Sequence, residues 1–260
     1  MNCQSERGGK LYQKVIVAQH IIEVYEYEKL NINGKPDRNG DGLFTEHNYK
    51  QRMTERRNMI RRLICTNFDS KSKFVTLTFR DTEKFDIRNV KECNRYFKYF
   101  VMRLKKQYQE FKYVAVIEFQ DKNDRGAIHY HMICNLPYIK KSELTKIWGY
   151  GFIKINAIDK VDNVGAYVIK YMTSDMEDTR LQGENGYLRS QGLEKPSELK
   201  SWRSAAEKDY IYEFAEQVKK VSPSYAVTFE SEKAGLIVYQ QYNMKRIDSQ
   251  DAYENDKTNS

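Results

Sequence analysis

Apolar positions along the chain recur with a period of two in some stretches and near 3.6 in others, and the switches between them mark out the elements. Residues 12–28 (YQKVIVAQHIIEVYEYE) are apolar and β-branched and predict a strand. A Gly/Asn/Asp loop, NINGKPDRNGDG, separates it from a helix over 46–66. The next pattern is β-α-β-β. Strands are expected over 73–79, 112–120 and 127–135. A helix over 87–108 carries Val90, Phe97, Phe100, Val101 and Leu104 at helical spacing. A short helix over 142–148, a strand over 151–157 and a helix over 162–174, with Asp162 as N-cap, complete the regular part. Beyond 175 the pattern weakens to a helix around 205–220, strands around 224–229 and 235–242, and a polar tail.

These elements predict an α+β fold: one antiparallel sheet with helices packed on one face. The expected organisation is an N-terminal extension over 1–69 (strand, loop, basic helix) and a central domain over 70–200. Helix and strands over 201–242 complete that domain, and 243–260 form a disordered tail.

Strand alternation sorts the side chains by face. Tyr113, Ala115, Ile117 and Phe119 should face the core, as should Ile128, Tyr130, Met132 and Cys134, and Val75, Leu77 and Phe79. Val114, Val116, Glu118, Gln120, His129, His131, Thr76 and Thr78 then share the other face. A hairpin centred between Asn123 and Asp124 places Glu118 opposite His129, Val116 opposite His131, Phe119 opposite Ile128 and Ile117 opposite Tyr130. A one-residue slip would drive both histidines into the core.

Charge adds a partner class. The chain carries a net charge of +8, and 31% of its residues are charged; its isoelectric point is near 9.1. This balance favours a polyanion, nucleic acid above all. Arg52, Arg56, Arg57, Arg61 and Arg62 lie on the 46–66 helix, some at i, i+4 spacing, as a candidate phosphate-binding stripe; a solvated face is the bland alternative. The four cysteines form no CxxC pair, which argues against a zinc ribbon and suits a reducing cytoplasm. No segment has the length and apolarity to span a membrane, and the first residues contain no signal-type apolar run.

Two imidazoles and a carboxylate on one face form a candidate metal site with positions left for water and substrate. The mixed N/O set suits Mn²⁺, Mg²⁺ or Zn²⁺. On a helical wheel over 161–174, Val161, Val164, Val168, Ile169 and Met172 form the apolar arc. Asn163, Tyr167, Lys170, Tyr171 and Ser174 lie opposite. Tyrosines on a helix usually pack, but beside a metal a tyrosine oxygen can attack a phosphodiester. Lys170 would then stabilise the phenolate or the transition-state charge.

Three segments in order resemble the HUH endonucleases, specifically rolling-circle replication initiators of phages and Gram-positive plasmids. These are FVTLTF (74–79), IHYHMIC (128–134) and VGAYVIKYMTS (164–174), with LRSQGLEKP (188–196) as a further similar stretch. The resemblance implies a ferredoxin-like (RRM-like) core with N- and C-terminal additions. It implies His129, His131 and Glu118 as ligands of a divalent metal (Mn²⁺ or Mg²⁺), and Tyr167 and Tyr171 as nucleophile candidates with Lys170 as helper. It also implies single-stranded or supercoiled origin DNA as substrate, with Asn163 and the arginines among the DNA contacts. No P-loop pattern is present, so the polymerase and helicase would come from the host. Ser174 stands where two-tyrosine relatives often carry a lysine. The alternatives are a non-catalytic RRM-like nucleic-acid-binding module, which needs exposed aromatics on the open face, and an HUH relaxase or transposase, which typically has a third histidine in place of Glu118.

Other features read as structural. DRNGDGLFTEHN (37–48) half-matches a calcium loop but ends in Asn48 rather than Glu. His20, His47, Trp148 and Trp202 are expected to pack.

Overall fold

Residues 12–28 form two strands rather than one. β1 (Tyr12–Ala18) and β2 (Ile21–Tyr27) pair antiparallel around the two-residue turn Gln19–His20. Gln19 takes a positive φ of 55°, a conformation usually announced by Gly or Asn. With neither present, the apolar run reads as continuous. The structure is a computed structural model. It describes residues 12–28, 46–121, 125–158, 161, 163–169, 178–181, 183–202, 210–231 and 234–246, with backbone alone at 46–52, 201, 202, 210 and 212.

In chain order there follow α1 (Glu46–Asn67), β3 (Lys73–Thr78), α2 (Val90–Gln107), β4 (Tyr113–Gln120), β5 (Ala127–Cys134), α3 (Lys141–Trp148), β6 (Ile153–Ala157) and α4 (Val164–Ile169). The last elements are β7 (Tyr187–Arg189), β8 (Ser197–Trp202), α5 (Tyr210–Lys219), β9 (Tyr225–Ser231) and β10 (Gly235–Asn243). The fold is α+β, with two five-stranded antiparallel sheets. Instead of one domain with a completing tail, the chain divides into two compact units: a central unit, Thr45–Lys195, and a terminal unit built from Met1–Phe44 and Pro196–Ser260.

The central sheet runs β6-β3-β5-β4-β7. Its first four strands, with α2 and α3 as crossovers, have the ferredoxin-like β-α-β-β-α-β topology. One face carries the expected core: Val75, Leu77, Phe79, Ala115, Ile117, Phe119, Ile128, Tyr130, Met132 and Cys134 pack under α2 and α3. Local chemistry sets these helices in place. Asn89 caps α2 by accepting from the Glu92 N–H at 3.1 Å. Gly149 ends α3 in the left-handed conformation at φ 75°. Trp148 is fully buried and donates from its indole nitrogen to the Thr78 carbonyl at 2.9 Å.

The second face is not open, contrary to the expectation of helices on one side only. Phe74, Val114, Val116 and Ile133 pack against Ile60, Leu63 and Ile64 of α1 and Val164 and Val168 of α4. Four apolar side chains on that face demand a cover, and the two helices provide it. They meet closely at Gly165, where an added Cβ would lie 2.5 Å from the Arg61 carbonyl oxygen and 2.6 Å from Cys65 Sγ.

The terminal sheet runs β8-β1-β2-β10-β9, so strands from both ends of the sequence interleave. One face packs Val15, Ile22, Val24 and Tyr242 against Ala215 and Val218 of α5.

Candidate functional site

β5 lies between β3 and β4 in the central sheet, so its outward-facing histidines gain neighbours on both sides. The β4–β5 register places Glu118 opposite His129 and Val116 opposite His131, as the matching of apolar faces requires. From β3, Thr76 lies opposite His131 and Thr78 opposite His129. The face therefore grades along its strands. Phe74, Val114, Val116 and Ile133 form an apolar end beneath α1 and α4; Thr76, Thr78, Glu118, His129 and His131 follow as a polar end.

His131 is buried and held at both ring nitrogens. Its Nε2 lies 2.7 Å from Glu118 Oε2 and its Nδ1 3.2 Å from Thr76 Oγ1. Beside an ionised Glu118, Nε2–H donates to the carboxylate and Nδ1 accepts from the Thr76 hydroxyl. A hydroxyl also accepts, so Thr76 can serve the opposite tautomer, with the proton on Nδ1 and the Nε2 lone pair free for a ligand. Thr76 is a site residue that motif reading passed over; the strand pairing was the signal for it.

His129 is held differently. Its Nδ1 lies 3.9 Å from Glu118 Oε2, beyond hydrogen-bond reach. Its Nε2 is buried without a hydrogen-bond partner, which costs about 1–3 kcal/mol where nothing else satisfies the atom. Burial pushes the His129 pKa below the ordinary imidazole value. Glu118 opposes that shift, while His131 and Arg125 add to it. The ring is thus kept neutral, the state in which imidazole offers a lone pair to a cation.

A divalent metal suits this donor set: two neutral imidazoles, one with an orphaned buried nitrogen, and a carboxylate between them. The side chains do not stand as a ready cage. No group of three or more His, Cys, Asp or Glu among the described residues is arranged to hold an ion. Here Glu118 Oε2 is engaged by His131 and would have to turn from it.

α4 reaches the same face. The half-buried Tyr167 meets the Phe74 ring edge-on at a centroid distance of 5.4 Å. Phe74 in turn stacks on the His131 ring at 5.8 Å with 10° between planes. One buried phenyl therefore touches both a tyrosine and a histidine singled out from the sequence. Lys170 and Tyr171 lie outside the described residues, as do Asp162 and the 37–45 part of the half calcium loop. Asn163 is the residue that caps α4, its Oδ1 accepting from the Ala166 N–H at 2.9 Å and from Cys65 Sγ at 3.5 Å. That structural role stands in place of the expected DNA contact.

The arginine stripe on α1 is not a uniform outer surface. Arg61 is buried, turned in where α1 meets α4. Arg56 lies over the Tyr187 ring at 5.5 Å. Arg57 and Arg62 are half-buried, and the Arg52 side chain is outside the described set. Charge alone hid this, because arginine buries its stem while its head finds partners. A second arginine anchor, Arg180, forms ion pairs with Asp121, at the end of β4, and with Asp178, and its guanidinium stacks 3.9 Å above Phe119. It ties the chain beyond α4 to the strand that carries Glu118.

Residues 72–176 match the family model for replication-associated proteins of the ORF2 type. The matched span takes in β3, the Glu118/His129/His131 face and α4, under half of the chain. The match supports a replication-associated protein of the initiator type, and hence a role in DNA replication. Comparisons with curated proteins and with solved structures gave no match. No helix among the described residues is long and apolar enough to cross a membrane.

Proposed function

We propose that the central unit nicks and rejoins single-stranded origin DNA through a tyrosine ester, as an HUH-type initiator of rolling-circle replication. The observation that carries this reading is Glu118 standing across the hairpin between His129 and His131, on the face that Tyr167 of α4 also adjoins through Phe74. Glu118, His129 and His131 would hold a divalent cation, Mn²⁺ or Mg²⁺. Bound there, it would draw charge from a non-bridging phosphate oxygen.

The chain's own groups do the rest. A phenol oxygen, of Tyr167 or Tyr171, bonds to phosphorus, and the bond from phosphorus to the 3′-oxygen breaks. The phenol proton ends on the departing 3′-oxygen, leaving a 3′-hydroxyl for a host polymerase and a 5′-phosphotyrosine. The reverse attack by a 3′-hydroxyl rejoins the strand. Lys170 offsets charge on the phenol oxygen. Thr76 holds the His131 ring with its Nδ1 hydrogen-bonded. The burial of His129 keeps it unprotonated.

The test is a covalent adduct between the full chain and an origin oligonucleotide in Mn²⁺, seen on a denaturing gel. The Tyr167→Phe/Tyr171→Phe double variant should abolish it, and the single variants assign the nucleophile. Thr76→Val should slow it about 10–100-fold, as for loss of a ligand's supporting hydrogen bond, and His131→Ala more. An adduct that persists in the double variant overturns the mechanism. Oligonucleotide binding without any adduct points instead to a non-catalytic nucleic-acid-binding module.

A further inference from the structure

The face of the terminal sheet opposite α5 is unusually rich in tyrosine. Register places Tyr12 beside Tyr27, then Ile237 and Phe229, in one row across four strands. The next row runs Lys200, Lys14, Tyr25, Tyr239 and Val227 across all five. A third brings Tyr225 beside Gln241. The rings touch one another. Centroid distances are 5.3 Å for Tyr12–Tyr27, 6.2 Å for Tyr25–Tyr27, 4.8 Å for Tyr25–Tyr239 and 6.0 Å for Tyr225–Tyr239. At the β9 edge, Tyr225 is 55% exposed and Phe229 44%, large rings that a solvated sheet does not ordinarily display.

Cations accompany them. Lys14 Nζ lies 5.8 Å above the Tyr25 ring. Lys14 and Lys200 share a single carboxylate, Glu198, at 3.1 and 2.9 Å, which leaves one positive charge in excess at the edge of the aromatic rows.

We propose that this tyrosine face is a second binding surface for single-stranded nucleic acid, with bases stacking on the rings and Lys14 and Lys200 meeting the phosphates. The occupant follows from the chemistry. Every base has a π-face, so a row of aromatic rings takes single strands with little regard to sequence, and adjacent lysines supply the backbone's counter-charge. A protein-docking sheet face would lean on aliphatic side chains and exclude lysine from its centre, whereas here lysines sit in the same row as two of the tyrosines. The surface shares its ligand with the proposed nicking reaction but does not need that reaction.

The experiment uses the full chain in EDTA, so that metal-dependent nicking is suppressed. A mixed-sequence oligonucleotide substituted with 5-iodouracil is photo-cross-linked, and the modified residues are located by mass spectrometry. Cross-links at Tyr25, Tyr225, Phe229 or Tyr239 support the proposal whether or not an adduct forms in Mn²⁺. Cross-links confined to Thr45–Lys195 overturn it. In parallel, anisotropy with a fluorescent oligonucleotide should show about tenfold weaker binding for Tyr225→Ser/Phe229→Ser. The rate of adduct formation at saturating oligonucleotide should stay unchanged. Tyr25→Phe should bind as the unaltered chain does and Tyr25→Leu more weakly, which separates ring stacking from hydroxyl bonding. Unchanged affinity in the double variant, or a loss of self-association without loss of oligonucleotide binding, overturns the proposal.

Discussion

Each of the two sheets has five antiparallel strands, yet they use their faces in opposite ways. In the central unit both faces are packed, one under α2 and α3 and the other under α1 and α4. Its polar side chains are confined to one end of the second face, where Thr76, Glu118, His129 and His131 engage one another. In the terminal unit α5 packs one face, and the other shows rows of tyrosine with lysines among them. Burial has a chemical effect in the first case: it keeps His129 neutral and fixes His131 between two partners. Aromatic area is displayed in the second.

Substitutions test that contrast. Phe74→Ala should cost most, about 3–5 kcal/mol, because the ring is fully buried and supports both His131 and Tyr167; the shift of the urea midpoint measures it. A cost under about 1 kcal/mol would mean that α1 and α4 do not close the second face. Gly165→Ala follows at about 1–3 kcal/mol, since its Cβ would press on the Arg61 backbone and Cys65.

Arg180→Leu is a smaller perturbation with a characteristic pH dependence. Hydrogen bonds from Arg180 hold the Asp178 and Asp121 carboxyls below their ordinary values. A depressed carboxyl pKa contributes stability that is present above the unfolded-state value near 4 and lost as pH falls through the folded one. The unaltered chain should therefore exceed Arg180→Leu at pH 6 by under about 1 kcal/mol, given the exposure of the pair. The difference should vanish near pH 2 in parallel denaturation curves. Smallest of all is Tyr225→Ser, within about 0.5 kcal/mol, because the ring is mostly exposed. A large loss there would show that the tyrosine face is structural rather than displayed.

What could be read in advance differs between the sheets for a physical reason. The β4–β5 register was legible because period-two alternation penalises a one-residue slip across eight paired positions. The cover over the second face was half legible: Val114 and Val116 lie on it beside Glu118, and apolar residues on a supposedly open face call for helices. Arg61 was not, since its place at the α1–α4 contact depends on tertiary neighbours rather than on spacing. The terminal sheet was the least legible. Gln19 turns the chain without a turn residue, and β2 pairs with a strand near the other end of the sequence, a partnership that no local window contains.

That pairing has a temporal side. Ile22 meets Tyr242, and Ala18 leads into a hairpin whose two flanking strands, β8 and β10, are synthesised last. At roughly 5–20 residues per second, the β1–β2 hairpin leaves the ribosome about 10–40 s before its partners. An isolated hairpin is marginal in water, so it must wait largely unformed, apolar edges bare. The contiguous Thr45–Lys195 segment has all its strands in hand by then and can finish folding first. The order of birth along the chain thus makes the central unit the early folder, and the tyrosine-bearing sheet the step at which a chaperone, or premature termination, would be felt.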